Sequence, residues 1–379
     1  MIFKRGVLGV IALAFFATSN AFAQAELKPG QAEGLIREYI VVPFARPDNP
    51  PYKLDAMVTR PAAPGRYPLM IISHGSPRDA AQRAESRPTS FSSIAVEFAR
   101  RGWATVAVMR RGYGRSEGEY VEGNSCDNPN YERAGLISAQ ELSATVMNMK
   151  DKDYVDPSRH MLIGVSAGGL ASIAAASNAR EGLMGVVNFA GGRGSNAPDS
   201  VCRGDRLVNA MGAFGKTARV PTLWIYAEND HFFGPKLAQG MFDAFKASGG
   251  VGEFVAAAPF GEDGHTLFTG NGGMKIWLPT VSDFFTKNGF PIARDPANDP
   301  VVKLPPPAMG SDNAKKDFPN YLASNSFEKA FAVATNGKGG FSWRSGFRTP
   351  EEAAAGALKA CATANGSCKV YAVNNQLVD

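Results

Sequence analysis

From about Leu35 to Asn288, the sequence alternates between short apolar runs and segments with helical spacing. Runs such as "YPLMIIS" and "HMLIGV" are apolar at nearly every position, which indicates strands that are buried on both faces. Strands of this kind, separated by helices, form mostly parallel sheets with helices on both sides. The first two runs, near residues 34–42 and 52–61, read instead as an antiparallel pair that opens the sheet. The pattern therefore predicts an α/β fold.

The N-terminus has the features of a secretory signal peptide. Lys4 and Arg5 precede an apolar run, and Ala21-Phe22-Ala23 is an A-x-A cleavage signal. The alternative is an uncleaved membrane anchor, but the run is short for a span of roughly 20 residues. No later stretch of the sequence is long and apolar enough to cross a membrane. We therefore expect an exported protein, periplasmic or secreted, with no membrane span.

A proline-rich stretch separates the α/β region from a small C-terminal segment. Residues 291–311 contain six prolines and lack hydrophobic periodicity, which is typical of a linker. The following segment has a predicted strand, a helix capped by Thr349 with Glu352 as its capping-box partner, and a final strand. We interpret it as a small α+β accessory domain. The predicted division is a signal peptide at 1–23, the large α/β domain at 24–290, the linker at 291–311 and the accessory domain at 312–379.

The expected mature chain has four cysteines, Cys126, Cys202, Cys361 and Cys368. None lies in a C-x-x-C pair and the four histidines stand apart, so we predict no metal site. An even number of cysteines in an exported chain indicates disulfides. Cys361 and Cys368 flank the turn between the last predicted helix and strand, whereas Cys126 and Cys202 lie in long irregular loops after core strands. We therefore predict the pairs Cys126–Cys202 and Cys361–Cys368.

Two serines match the pattern G-x-S-x-G, which marks a nucleophile elbow, a sharp turn from a strand into a helix. Ser166 directly follows the apolar run "MLIGV" and precedes a helix of small residues. Gly164 and Gly168 supply the small neighbours that such a strained turn needs. Ser116 lacks this setting, because polar and glycine-rich residues follow it and Glu117 would repel a developing negative charge. We therefore predict that Ser166 is a nucleophile.

A nucleophilic serine needs a base that accepts its proton and an acid that orients the base. After a nucleophile elbow, the chain order is serine, acid and then histidine, on loops that follow later strands. His265 lies in the glycine-rich loop "GEDGHT" after the last core strand, where the base belongs; the alternative is a surface-loop histidine. His231 adjoins the candidate acid and is interpreted as a loop residue or a supporting one.

Three carboxylates are candidates for the acid. Glu228 and Asp230 follow the strand "TLWIYA", and strand alternation points them to the same side. The acid usually lies on the turn just past the strand end, which favours Asp230. Asp263, in the same loop as His265, is a weaker candidate.

An attacked carbonyl group develops negative charge that two backbone N–H groups, the oxyanion hole, stabilise. One predicted donor is Ala167, at the start of the helix that follows the nucleophile. The other is Ser76, in the loop after an earlier strand, where Gly75 lets the backbone turn inward. His74 precedes the nucleophile in the chain, and we expect it to brace this loop rather than to act as the base.

Together these motifs resemble α/β-hydrolases of the dienelactone-hydrolase and acyl-peptidase-like group. The resemblance spans residues 68–268 and rests on the order of "HGS", "RRGYGRSEG", "GVSAGG", "IYAEND" and "DGH". It implies the α/β-hydrolase fold, with Ser166, Asp230 and His265 as a catalytic triad, and it places Ser116 in a loop at the rim of the site. Dienelactone hydrolases proper use a cysteine nucleophile, so the resemblance does not extend to dienelactone as the substrate. The C-terminal segment loosely resembles small periplasmic modules.

The function predicted from these residues is an exported serine hydrolase. It would cleave small-molecule or polymer-derived carboxylic esters through an acyl-enzyme on Ser166, without a cofactor. A peptidase or amidase of the same fold and a catalytically inactive binding protein are the alternatives. The formal net charge of +5 is spread along the chain without a basic block, so no nucleic-acid partner is expected, and the oligomeric state is left open.

Several arginines lie near the predicted rim of the site. They are consistent with an acidic substrate or with ordinary solvated loop charges. These residues are Arg78, Arg83, Arg110, Arg111, Arg115, Arg193 and Arg203.

Overall fold

The computed structural model describes residues 31–293, except 33, 48 and 124, and residues 304–378, except 325 and 327. The predicted signal peptide and residues 294–303 of the predicted linker lie outside the described residues. Within the described ranges, no helix combines the length and apolarity needed to span a membrane.

A central sheet of nine strands organises the large domain. Its strands are β1 (Gln31–Ala32), β2 (Leu35–Arg46), β3 (Asn49–Pro61), β4 (Tyr67–Ser73), β5 (Ala104–Val108), β6 (Val155–Val165), β7 (Leu183–Phe189), β10 (Thr222–Ala227) and β11 (Gly252–Ala257). Their order across the sheet is β1-β2-β3-β5-β4-β6-β7-β10-β11. The pairs β1–β2, β2–β3 and β3–β5 are antiparallel. All later pairs in this order, from β5–β4 to β10–β11, are parallel. A separate small hairpin joins β8 (Ser195–Ala197) to β9 (Ser200–Val201).

Helices cover both faces of this sheet. One face packs against α1 (Ser92–Ala99) and α6 (Gly273–Lys287). The other face packs against α2 (Tyr131–Lys150), α3 (Ala167–Ser177), α4 (Gly204–Gly215) and α5 (Pro235–Ala247). Successive strand residues alternate between the two layers: Ile71 packs on the second face and Ile72 on the first. Burial on both faces explains why the strands read as continuous apolar runs.

The sheet topology positions the predicted site residues at one edge. Parallel strands bring their carboxyl ends together, and loops beyond those ends form the usual site of such sheets. The loops after β4, β6, β10 and β11 carry Ser76, Ser166, Asp230 and His265, respectively. These four loops therefore open onto the same edge of the sheet.

The C-terminal segment forms a second, antiparallel sheet in the order β13-β12-β14-β15. Its elements are α7 (Asp312–Ala323), β12 (Ala330–Ala334), β13 (Phe341–Arg344), α8 (Pro350–Asn365), β14 (Cys368–Val373) and β15 (Gln376–Leu377). Alternating residues of β12 face opposite helices, with Phe331 packed against α7 and Ala332 against α8. We call residues 304–378 the C-terminal module.

The module's aromatic side chains build its own core. Phe341 and Trp343 pack against the cluster around Phe331, and Phe347 packs against α8. A segment this small needs its large side chains to fold. None of these aromatic rings lines the cavity that contains Ser166.

The module docks on the first strands of the large domain. Arg37 of β2 forms an ion pair with Glu328 in which both side chains are buried, at 2.8 Å. Arg348 donates to both carboxylate oxygens of Asp55 on β3, at 2.7 and 2.9 Å. The hydroxyl of Tyr39 also donates to the carbonyl of Phe347, at 3.3 Å. The module is therefore tied to the sheet through buried and half-buried charges.

The predicted α/β-hydrolase-like architecture with a small C-terminal α+β domain is confirmed. The capping of α8 differs in detail from the sequence prediction. Thr349 accepts from the N–H of Glu352 as expected, but the Glu352 carboxylate accepts from the N–H of Arg348 rather than from that of Thr349. Helices α4, α5 and α7 were not anticipated by the sequence pattern.

Candidate active site

Ser166 stands at a sharp turn between β6 and α3. Its backbone has φ of 55° and ψ of −124°, a conformation that side-chain-bearing residues rarely adopt. The turn is held from both sides: Ser166 N–H donates to Phe189 O, and Gly192 N–H donates to Ser166 O. This is the strained strand-to-helix geometry of a nucleophile elbow.

The residues around this turn must be small because backbone segments approach each other closely. A Cβ atom on Gly164 would lie 2.3 Å from the carbonyl oxygen of Gly168. One on Gly168 would lie 2.1 Å from the carbonyl oxygen of Ser73. The two glycines of the motif are therefore required by packing, as the sequence pattern indicated.

His265 and Asp230 form a hydrogen-bonded pair at the ends of neighbouring strands. His265 Nδ1 lies 3.0 and 3.2 Å from the two carboxylate oxygens of Asp230. Asp230 is buried, and its carboxylate also accepts the N–H groups of Phe232 and Phe233 at 2.7 and 2.9 Å. Because Nδ1 faces a carboxylate, it carries the ring proton of the neutral histidine, which leaves Nε2 available as a base.

The other candidate residues occupy different positions. Glu228 is exposed at the end of β10. Asp263 accepts the backbone N–H groups of His231 and His265, and so shapes the loop without contacting the imidazole. His231 is exposed and paired with Asp199, which raises the pKa of its imidazole through a hydrogen bond and charge attraction.

Two phenylalanines link His265 to the cavity that contains Ser166. The Phe232 ring stacks on the imidazole at 3.9 Å, and the Phe233 ring meets it edge-on at 5.5 Å. Both phenylalanines line the same cavity as Ser166. Within the described residues, Ser166 Oγ and His265 Nε2 form no direct hydrogen bond. In free enzymes such bonds are often long and tighten only when substrate is bound.

The predicted oxyanion donors adjoin the serine. Ser76 and Ala167 line the cavity together with Ser166. Their N–H groups find no acceptor in the described part of the chain. A Cβ atom on Gly75 would lie 3.1 Å from the Ser166 Cβ, so the two loops are in close contact.

His74 braces the oxyanion loop. Its Nε2 accepts the N–H of Arg110 at 3.0 Å, so Nδ1 carries the proton and donates to Gly75 O at 2.6 Å. Burial and the Arg110 guanidinium lower the pKa of His74 to about 3, which keeps the ring neutral. This arrangement fits the supporting role expected from the sequence.

A buried charge network beside the serine was missed by sequence reasoning. Glu122 forms ion pairs with both Arg110 and Arg193 and accepts the Tyr113 hydroxyl at 2.9 Å. Burial alone would raise the pKa of Glu122, but the two guanidinium groups outweigh it and hold the pKa well below its usual range. Arg193 and Glu122 both line the cavity. These three charged residues lie far apart in irregular loops, so no local pattern indicates their contact.

The hydroxyl of Ser116 forms hydrogen bonds that hold its loop in place. Its hydroxyl donates to Met109 O at 2.6 Å and accepts the Asp55 N–H at 2.9 Å. It does not line the cavity that contains Ser166. The second G-x-S-x-G match thus joins its loop to β3.

Both predicted cysteine pairs are joined in the structure. Cys126–Cys202 bridges positions 76 residues apart, and Cys361–Cys368 bridges positions 7 residues apart. Cys202 lines the cavity, so the first bridge ties the loop after β5 to a cavity wall. The cavity itself has a volume of about 370 Å³ and is open to solvent. In the described ranges, no cluster of three or more potential metal ligands is present.

Comparison with known proteins places these features in a wider context. Residues 51–218 match the sequence model of the X-Pro dipeptidyl-peptidase (S15) family. This match covers less than half of the chain, includes Ser166 and ends before Asp230 and His265. No curated protein matches the sequence.

Among solved structures, the acylaminoacyl peptidase of Pyrococcus horikoshii superposes with a TM-score of 0.51 at 15% identity. The superposition covers 68% of this chain and 43% of the peptidase. This similarity and the mostly parallel sheet flanked by helices decide the architecture. The chain has the α/β-hydrolase fold.

Two further solved structures are similar to this chain. An esterase of Pyrococcus furiosus has a TM-score of 0.44 and 18% identity, with 66% of this chain and 90% of the esterase covered. Est1E of Butyrivibrio proteoclasticus, solved with ferulic acid bound, has a TM-score of 0.46 and 18% identity, with coverage of 66% and 98%. The family match and the fold together support a hydrolase of the esterase or peptidase type.

Proposed function

We propose that the protein is an exported serine hydrolase that cleaves carboxylic esters through an acyl-enzyme on Ser166. The observation that carries this proposal is the buried Asp230–His265 pair, on loops at the same sheet edge as the Ser166 elbow. Serine, acid and histidine follow each other in the chain order of this fold. An inactive binding protein would have no need for a strained serine at the same sheet edge as a carboxylate–histidine pair.

The proposed mechanism uses each residue in one role. Ser166 Oγ attacks the acyl carbon while His265 Nε2 takes the hydroxyl proton. Asp230 holds the imidazole in the required tautomer and stabilises the imidazolium that forms. The free N–H groups of Ser76 and Ala167 stabilise the oxyanion of the tetrahedral intermediate. His265 then protonates the leaving alcohol, and water hydrolyses the acyl-enzyme by the same steps.

A peptidase activity is the second candidate, because residues 51–218 match a dipeptidyl-peptidase family. An enzyme that removes N-terminal dipeptides must accept a cationic α-amino group. Among the described residues, the charged side chains that line the cavity are Arg78, Arg83, Glu122 and Arg193, and Glu122 is already paired with two arginines. This excess of positive charge opposes a cationic substrate. The cavity is therefore better suited to an ester substrate than to a peptide with a free, cationic N-terminus.

Export is part of the proposal. Disulfides persist in oxidising compartments, and two of them are present in the described residues. The A-x-A signal near residue 23 predicts where the leader is removed.

Matched substrates test the ester assignment. Purified protein is given 4-nitrophenyl butyrate, its anilide counterpart butyryl-4-nitroanilide, and an Ala-Pro-4-nitroanilide dipeptide substrate. We expect turnover of the ester to exceed that of both amides by more than a hundredfold, beyond their difference in uncatalysed reactivity. Efficient release from Ala-Pro-4-nitroanilide would instead identify the protein as a dipeptidyl-peptidase.

A further inference from the structure

The cavity that contains Ser166 has more positive charge than its carboxylate can neutralise. Its lining includes three arginines and one carboxylate, Glu122. Glu122 is shared between Arg193 and the buried Arg110 behind it. The remaining arginines, Arg78 and Arg83, therefore have no counter-charge from the described residues of the cavity wall.

Arg78 is fixed in place by neutral acceptors. Its guanidinium donates to Ser195 Oγ at 2.7 Å and to the carbonyl groups of Ala197 and His231, each at 3.1 Å. It also stacks on Phe232 at 3.5 Å. None of these contacts removes its charge, and Nη1 makes no hydrogen bond to the described residues. Phe232 in turn stacks on His265, so Arg78 lies on the histidine side of the site.

Arg83 is held by an aromatic ring rather than by a carboxylate. Its guanidinium lies 4.0 Å from the centre of the Tyr120 ring, and Tyr120 accepts a hydrogen bond from Arg193 at 3.1 Å. Its side chain forms no ion pair or hydrogen bond with the described residues. Stacking orients a guanidinium while leaving its N–H donors free. Arg83 is thus a positioned donor in the wall of the cavity.

We propose, on the basis of the ester hydrolysis proposed above, that the substrate carries a second, ionised acid group beside the scissile ester, and that Arg83 and Arg78 bind it. A planar guanidinium matches a carboxylate geometrically, and a charge-assisted hydrogen bond in a cavity is stronger than a neutral one. A cavity of about 370 Å³ has room for a small ester with one such group. The excess charge also attracts an anionic substrate at low ionic strength.

Two pairs of esters test this proposal with the full-length protein. The first pair places charge on the acyl part: mono-4-nitrophenyl succinate and its neutral isostere 4-nitrophenyl 4-methylpentanoate. The second places it on the alcohol part: 3-carboxyphenyl acetate and 3-isopropylphenyl acetate. We expect kcat/KM to favour the anionic member of at least one pair by tenfold or more at low salt, and the preference to decrease as salt is added. The preferred pair identifies which part of the substrate the arginines contact.

Matched variants assign the preference to residues. Arg83→Gln should lower kcat/KM for the preferred anionic ester about tenfold more than for its neutral isostere, and Arg83→Lys should retain part of the preference. Arg180→Gln removes the same charge from an exposed loop at the opposite edge of the sheet and should change neither rate. Arg78→Gln should likewise lower kcat/KM more for the preferred anionic ester than for its neutral isostere. Circular dichroism of each variant separates misfolding from lost recognition.

Two results would overturn the proposal. One is turnover by the unmodified protein with equal kcat/KM within both pairs. The other is an Arg83→Gln variant that loses activity equally on charged and neutral esters. This result would show that Arg83 is an ordinary loop charge that does not recognise the acid group. Failure of the proposed function has a different signature: no turnover of any of the four esters and no labelling of Ser166 by a fluorophosphonate.

Discussion

At the scale of single residues, two serines share the G-x-S-x-G motif but differ in backbone conformation and in hydrogen bonding. Ser166 adopts a φ of 55°, a conformation that costs of the order of 1–3 kcal/mol and persists only where surrounding contacts enforce it. Ser116 shares the G-x-S-x-G pattern, yet its hydroxyl is used in two structural hydrogen bonds. The sequence predicted this difference because only Ser166 lies between an apolar strand and a helix of small residues.

The choice between Asp230 and Glu228 yields a prediction. Asp230→Asn should lower kcat about 10³- to 10⁴-fold, because an amide favours the wrong tautomer of His265. Glu228→Gln, at the exposed neighbouring position, is the matched control and should stay within about twofold of the unmodified protein. Steady-state kinetics on a 4-nitrophenyl ester measures both. A comparable loss from Glu228→Gln would mean that the acid has been assigned to the wrong residue.

At the scale of elements, the continuous apolar strands and a helix with clear signals at both ends could be predicted, whereas helices with irregular starts were missed. The core strands are apolar throughout, and α8 has both Thr349 and Gly366 at its ends. By contrast, α4 starts from Arg203 in a left-handed conformation without a side-chain cap. Helix α5 has a Gly-Pro start and buried residues at helical spacing, Ala238, Met241 and Phe245, which the sequence prediction did not use. Such helices form because the sheet offers an apolar face to pack on, which is tertiary information.

Contacts between distant loops were beyond sequence reasoning for a similar reason. The pairing of Glu122 with Arg193, and the stacking of Phe232 on His265, depend on where the fold places each loop. No spacing rule links residues in irregular segments. The catalytic candidates could be found because their motifs fix their positions relative to strand ends.

The two disulfides should differ in their effect on stability. In the chain-entropy account, a bridge between positions 76 residues apart stabilises by about 4 kcal/mol, and one between positions 7 residues apart by about 2 kcal/mol. The double variant Cys126→Ser/Cys202→Ser should therefore unfold at lower urea concentration than Cys361→Ser/Cys368→Ser. The first variant should also raise KM, because Cys202 lines the cavity. A larger loss of stability in the second variant would contradict this order.

At the scale of the whole molecule, we expect the C-terminal module to contribute to stability rather than to the catalytic site. None of the described module residues lines the cavity that contains Ser166, yet Glu328 forms a buried ion pair with Arg37 of β2. Because the predicted triad lies entirely before the linker, the sequence predicts that a chain ending near Gly310 folds and hydrolyses small soluble esters at near-normal rates. The docking contacts do not change the activity expected of the truncated chain. They do predict that its free energy of unfolding is lower than that of the full chain.

Removal of the module and a single substitution test this view together. The chain ending at Gly310 should keep kcat within a few-fold and unfold at lower urea concentration. Glu328→Gln in the full chain should cost about 3–5 kcal/mol, because it breaks a buried ion pair by removing the charge of one partner. Lys287→Gln breaks an exposed ion pair with Glu253 and should cost less than about 1 kcal/mol. A truncated protein that is folded by circular dichroism but inactive would show that the module completes the active site.

Covalent labelling tests directly whether Ser166 is the nucleophile. The full-length protein is incubated with a fluorophosphonate probe, digested and examined by mass spectrometry, beside the Ser166→Ala and Ser116→Ala variants. We predict a single modified serine, Ser166, with labelling abolished in Ser166→Ala and retained in Ser116→Ala. Absence of labelling in the unmodified protein, or labelling that persists in Ser166→Ala, would contradict the assignment of Ser166 as the nucleophile.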